Sequence, residues 1–263
     1  MAERRREPTA FDVFGLAIAS AILLAWASSL VFLLGAPLHG PWVWAWAPLA
    51  MAWMSWLFTG LFITGHDAMH GSVTRAHPRL NHAIGAVAVA AYAMFDYRRL
   101  RRAHGRHHAR PARPGDPDWH DGRRSGAGWW FLAFVSRYLT VGQLGRLLFL
   151  FWAVQLVVPT PNFLAFWALP SLASVGQLFF FGTYLPHRTP AGGHTNPHHA
   201  SSTSLGYVGS LLTCFHFGGY HREHHENPGI PWWRLPSIAS SARAQALGES
   251  PSVGSGASAP SAR

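Results

Sequence analysis

An all-α integral-membrane fold is what this 263-residue sequence predicts, and three observations lead to it. Hydrophobic residues make up 49% of the chain, with 13 Trp and 17 Phe, while only 12% is charged, about half the share usual in soluble domains. The apolar residues fall into several runs long enough to cross a bilayer. Every basic residue is Arg, and the Arg residues cluster between those runs, where the positive-inside rule expects them. The resulting expectation is four transmembrane helices, a short re-entrant or interfacial helix, and a cytoplasmic helical cap that carries histidine boxes. Residues 1–240 form one domain, and the Ser, Ala and Gly-rich residues 241–263 form a disordered tail.

Composition also excludes function classes. The formal charge of +10 suits anionic headgroups better than nucleic acid, because the Arg residues border apolar segments. A mean hydropathy of only +0.09 points to a sizeable polar part outside the bilayer. The single Cys214 rules out a disulfide framework and any cysteine-rich metal site. A metal, if bound, must therefore be held by histidine.

In chain order, residues 1–8 form a polar arm with Arg4, Arg5 and Arg6, and residues 11–34 are an apolar run too long for a signal-peptide core. An Arg-free loop at 35–41 follows, then a second apolar run at 42–64. Basic arm inside and Arg-free loop outside set the orientation, so the second run returns to the cytoplasmic side. There it delivers His66 and His70, an HxxxH pair on one helix face. Residues 81–95 are apolar but short for a crossing, and a crossing would strand Arg98, Arg99, Arg101 and Arg102 outside, so a re-entrant segment is expected. The Arg cluster leads into His104, His107 and His108, an HxxHH box.

Residues 111–128, rich in Pro, Gly, Asp and Arg, predict a cytoplasmic loop, and the aromatic group at 129–134 an interfacial helix. A third span opens at 147–158, turns at the Pro-Thr-Pro-Asn of 159–162, and a fourth returns at 163–185 to end at His187. The segment from 186 to 236 is polar and histidine-rich, and contains a second HxxHH box at His221, His224 and His225.

Topology argued from apolar length and Arg placement thus brings His66, His70, His104, His107, His108, His187, His221, His224 and His225 to one membrane face. Nine imidazoles exceed what one ion accepts, about six in octahedral geometry, so two metals are expected. Imidazole suits Fe, Zn, Cu and Ni, and zinc sites stop at three or four ligands, so an all-histidine dinuclear site favours redox iron. A merely hydrated, His-rich helix does not account for the repeated HxxHH spacing. Asp67, Glu223 and Glu226 stand near the boxes as acids able to orient imidazoles, and His216 is a supporting residue. Asp96, Asp116, Asp118 and Asp121 read as solvated acids, with the Asp-Pro-Asp run capping a helix. His194, His198 and His199 are loop histidines, because Pro197 interrupts any helix through them. His39 lies on the outside loop, and His77, His82 and His120 are solvated or hydrogen-bonded.

The order HxxxH, HxxHH, HxxHH resembles the integral-membrane di-iron family of fatty-acid desaturases and hydroxylases. The HDAMHG at 66–71, the FGTYLPHR at 181–188, the CFHF at 214–217 ahead of HREHH, and the PWWRLP at 231–236 resemble the bacterial β-carotene ketolases within it. The resemblance covers roughly 11–236. It implies two Fe ions, O2 as co-substrate and a ferredoxin-type electron donor. It further implies two successive oxygenations at carbon 4 of β-ionone rings, yielding echinenone and canthaxanthin, with zeaxanthin a further candidate substrate. It places the chain in the bacterial inner membrane. A rigid C40 polyene dissolves only in the bilayer, and Trp53, Trp56, Phe180 and Tyr184 are candidates to line its path. A fatty-acyl desaturase or hydroxylase shares the boxes. An iron transporter would need ionisable groups deep in its spans, and the interiors of 11–34 and 163–185 carry none.

Overall fold

The computed structural model describes residues 7–120, 122, 124–203 and 205–246. Arg4 to Arg6, Asp121 and most of the expected tail lie outside the described residues. Among those described the chain is helical throughout, with no strand. Three helices are long and apolar enough to cross a membrane: α1 (Ala10–Leu34), α2 (Val43–Met69) and a run from Thr160–His187.

Helix α1 starts at a capping box in which Thr9 N–H and hydroxyl both donate to the Asp12 carboxylate. Asp12, the one acid in this span, is buried and also accepts from Thr74 Oγ1 and Ala76 N. Those residues follow α2, so the start of α1 is stapled to the end of α2 and the two run antiparallel. Gly15 is required here, because a Cβ would meet the Val73 carbonyl oxygen at 2.2 Å. From Leu57 to Met69 every α2 residue but Phe62 is buried, whereas Trp44, Leu49 and Trp53 in its first half are exposed. The end that carries the first histidine pair is therefore the enclosed one.

Helix α3 (Pro78–Ala93) opens with Pro at its first position and closes at Met94 in the left-handed region (φ 55°). Sixteen residues rise about 24 Å, short of a bilayer core of about 30 Å. Asp96 caps α4 (Tyr97–Ala109) by accepting from Arg99 N. Asn81, near the start of α3, is bonded to Val73 N and Ala68 O, and α4 ends in its histidine box. The α3–α4 hairpin thus leaves the histidine end and comes back to it. At its deepest point Tyr92 donates to Ser174 Oγ, which meets Thr59 Oγ1 at 2.9 Å, tying three helices together within apolar surroundings.

Helix α5 (Ala127–Tyr138) buries Trp130 and exposes Trp129, as an interfacial helix should. The expected third span at 147–158 corresponds to α6 (Val141–Gln155), whose 15 residues fall short of spanning length. Its start is moored to the hairpin by Gln143 Nε2 on Ala93 O and Arg146 on Met94 O.

The run α7 (Thr160–His187) begins at the far end of α1, where Asn162 Nδ2 donates to Leu33 O and Ala36 O. It contains two π-helical turns, Leu164–Ala168 and Phe180–Tyr184. Each is centred four residues before a proline, Pro170 and Pro186. Proline removes one ladder donor and crowds that fourth-preceding carbonyl, and the helix widens there to accommodate it. Beyond a loop, α8 (Gly206–Cys214), α9 (His221–Glu226), a 3-10 turn (Trp232–Arg234) and α10 (Leu235–Ala246) wrap the same end. The wrap is anchored by Trp232 N donating to Asp67 Oδ2 and by Trp233 against the rings of Phe11 and Phe14. Helix α10 runs past Ser240, the expected start of the structureless tail, because it packs against the histidine helix instead of leaving the domain.

Candidate metal centre

Helix periodicity puts residues i, i+3 and i+4 on one side, so each HxxHH box presents three rings in one direction. The structure brings the ends of α2, α4, α7 and α9 together, and the nine imidazoles form two groups. His66, His70, His104, His108 and His224 make one, and His107, His187, His221 and His225 the other, with ligand atoms within 4.8 Å of one another in each. The two HxxHH boxes divide in opposite senses. On α4 the i, i+4 pair His104 and His108 enters the five-histidine group and His107 crosses to the other. On α9 the i, i+4 pair His221 and His225 enters the four-histidine group and His224 crosses back.

The donor set fits metal ions. Nε2 atoms approach at 2.7 Å (His70–His104), 3.0 Å (His108–His224), 2.8 Å (His187–His221) and 3.1 Å (His221–His225). Ligands at right angles on an ion with bonds of about 2.0–2.1 Å stand about 3 Å apart. Burial pushes the imidazoles of His104, His221, His224 and His225 well below the ordinary histidine range, so these are neutral rings with lone pairs facing each other. Among the described residues the buried His66 Nε2 has no hydrogen-bond partner, an orphaned atom that a metal bond would satisfy.

Several outer nitrogens are fixed by the surroundings. His107 Nδ1 donates to Asp116 at 3.0 Å, which leaves its Nε2 free toward the group. Asp116 is itself held by Ala112 N and Asp118 N, both at 2.8 Å. Asp118, 3.7 Å from His107 Nδ1, accepts from the Tyr138 hydroxyl. Burial opposes protonation of His107, yet Asp118 and Asp116 outweigh it and hold the group above the usual range. His187 Nδ1 donates to the His199 carbonyl at 2.9 Å, and Asp67 stands 3.4 Å from His66 Nδ1.

The acids named from sequence fare differently. Asp67 is buried beside His66, whereas Glu223 accepts from Ser202 and Glu226 pairs with Arg222 at 2.8 Å. His216 binds Ser210 Oγ at 2.7 Å and packs on Tyr207, outside both groups. Asp116 and Asp118, expected as solvated or capping acids, are corrected to buried or nearly buried partners of His107. The signal that could have found them is an Asp-Pro-Asp turn eight residues beyond a box histidine, close enough for the chain to fold back. His198 approaches His225 only ring to ring (6.1 Å), and the loop's contribution is the backbone carbonyl of His199.

A narrow apolar cavity of about 80 Å³ reaches both groups. His66 and His104 border it from one and His107 and His221 from the other, while Phe62, Tyr92, Phe95, Val175 and Leu178 line its depth. Phe217 also lines it, with its ring 4.4 Å from His66 and 4.7 Å from His221. Trp53, Trp56, Phe180 and Tyr184 lie outside this lining. Trp56 instead stacks between Trp53 and Phe215, and Tyr184 packs on Trp130.

Comparison with known proteins gives a consistent result. A fatty acid desaturase family profile matches residues 40–156 and 138–255. A beta-carotene ketolase of Paracoccus sp. (strain PC1) is 40% identical over 241 residues, 90% of this chain and 96% of that protein. A beta-carotene ketolase of Paracoccus sp. (strain N81106 / MBIC 01143) is 42% identical over 186 residues, covering 70% of this chain and 75% of its own length. The zeaxanthin 4-ketolase of Chlamydomonas reinhardtii is 38% identical over 255 residues, 91% of this chain and 56% of that protein.

Proposed function

The chain belongs to the fatty acid desaturase family, and from that premise we propose that it is a membrane oxygenase that converts carbon 4 of β-ionone rings to a ketone. β-Carotene is the substrate, echinenone and canthaxanthin are the products, and zeaxanthin is a further candidate substrate in view of the algal relative. The observation that carries this reading is the apolar cavity bordered by histidines of both groups. It suits a rigid hydrocarbon end group delivered from the bilayer, with no charge to be recognised.

Two iron ions, one per group, would supply O2 activation with electrons from a ferredoxin-type donor. His66, His70, His104, His108 and His224 would hold one, and His107, His187, His221 and His225 the other. The protein's own work is positional. Asp116 and the His199 carbonyl lock ring tautomers, and the walls from Phe62 to Leu178 orient the ring so that carbon 4 meets the histidine end.

We further propose a membrane disposition with four crossings: α6 exposes Leu148, Phe149 and Trp152, Val157 just beyond it is exposed as well, and together they would make the fourth. The α3–α4 hairpin is re-entrant. The histidine end carries the Arg-rich α4 and faces the cytoplasm of a bacterial inner membrane.

Expression of the full chain in bacteria that make β-carotene tests the proposal. Ketocarotenoids and about two irons per chain are expected. An iron-loaded protein that leaves carotenoids untouched and alters acyl chains instead would refute it.

A further inference from the structure

Three hydroxyls border the cavity, and two are engaged: Tyr92 donates to Ser174 at 3.3 Å and Tyr138 to Asp118. The third, Thr183, is only 7% exposed and makes no hydrogen bond among the described residues. Three threonines inside helices elsewhere in the chain return their hydroxyl to the carbonyl four residues earlier: Thr59 to Ser55 at 3.0 Å, Thr64 to Gly60 at 2.9 Å, Thr213 to Gly209 at 2.7 Å. Thr183 sits in the π-turn Phe180–Tyr184, where the widened ladder breaks that pattern. Thr183 lines the same largely apolar cavity as His221, and of the three hydroxyls there its own is the one left to pair with a polar ligand atom.

We propose that Thr183 binds the hydroxyl of the half-oxidised ring and holds it for the second oxygenation. This rests on the ketolase reading. The first oxygenation replaces one C4–H by C4–OH, taking O2, two electrons from a one-electron carrier protein and two protons, and leaving one water. The second takes the same inputs, replaces the remaining C4–H, and the gem-diol loses water to give the ketone. Between the two steps the ring must stay with carbon 4 at the histidine end. Phe62, Phe95, Val175 and Leu178 cannot tell a hydroxylated ring from a parent one, whereas a hydrogen bond to Thr183 Oγ1 both retains the alcohol and turns the remaining hydrogen toward the centre.

The test uses the full chain in β-carotene-producing cells, comparing wild type, Thr183→Val and Thr183→Ser by pigment chromatography and iron content. Thr183→Val should raise the ratio of 4-hydroxy to 4-keto product about fivefold, the effect of losing one ordinary hydrogen bond, with iron per chain unchanged. Thr183→Ser should restore the wild-type ratio. Thr183→Ala carries the same expectation as Val with less bulk, should Val not be accommodated. A second arm supplies zeaxanthin, and the same leak of 4-hydroxy product is expected there. A wild-type ratio in both Val and Ala variants overturns the inference, as does a defect confined to zeaxanthin turnover, which would assign Thr183 to the 3-hydroxyl. Absence of ketone from the wild type would instead sink the ketolase reading itself.

Discussion

If each histidine group holds one iron, as proposed, replacing Asp116 by Asn should cost the protein one of the two. The carboxylate accepts the His107 Nδ1 proton with both oxygens at 3.0 Å and is clamped by Ala112 N and Asp118 N at 2.8 Å. Asn keeps the size but removes the charge, and with its oxygen kept on the backbone donors it turns an N–H toward the N–H of His107. Loss of such an outer partner costs about 10- to 100-fold in metal affinity, about 1.4–2.7 kcal/mol. His107 belongs to the group with His187, His221 and His225, and the other five histidines share no bond with Asp116. Iron retained during dialysis against a graded chelator, with the protein in nanodiscs, should therefore fall from about two per chain toward one. The five-histidine site should keep its ion at chelator levels that strip the other. Retention equal to wild type, or loss of both ions at the same chelator concentration, would refute the assignment of Asp116 to one site and the separation of the two groups.

Other perturbations follow from particular contacts. His224→Ala removes a buried ring that faces His108 at 3.0 Å and should abolish ketone and lower iron while the protein still inserts. His198→Ala, whose ring stays 6.1 Å from His225, should leave iron near wild type by elemental analysis. Gly15→Ala drives a Cβ to 2.2 Å from a backbone carbonyl that cannot yield, and should destabilise by about 1–3 kcal/mol, seen as a lower thermal midpoint in detergent. Because burial holds His104, His221, His224 and His225 below their ordinary pKa, the unfolded chain takes up protons that the native chain refuses. Stability of the metal-stripped protein is thus fully present above about pH 6.5 and declines below it. Denaturation of that form at pH 7.5 and 5.5 checks the sign, and greater stability at the lower pH would contradict it.

Much of the centre was legible in the sequence because its logic is local. The HxxxH and HxxHH spacings are helix geometry, and the lengths of apolar runs with Arg between them decide which ends meet, so all nine imidazoles could be named before any fold was known. The crossing lengths were less legible: residues 147–158 looked like a span, but the helix there starts at Val141 and stops at Gln155. What only the tertiary structure decided concerns partners distant along the chain. Three rings on one face of α4 do not say which of the two histidine groups each will join; that depends on α2 lying beside His104 and His108 and α9 beside His107. Asp116 gains its place from a loop folding back into a buried site, where an acid that would be solvated elsewhere becomes a hydrogen-bond acceptor for His107. Thr183 likewise depends on a π-turn and on what the neighbouring helices leave open beside it. The sequence by itself determined the all-histidine character of the candidate centre and the helix faces that carry it, since these follow from residue type and short-range periodicity. The division of ligands, their outer partners and the shape of the cavity came from packing, which couples positions as far apart as His107 and His225 that no local period relates.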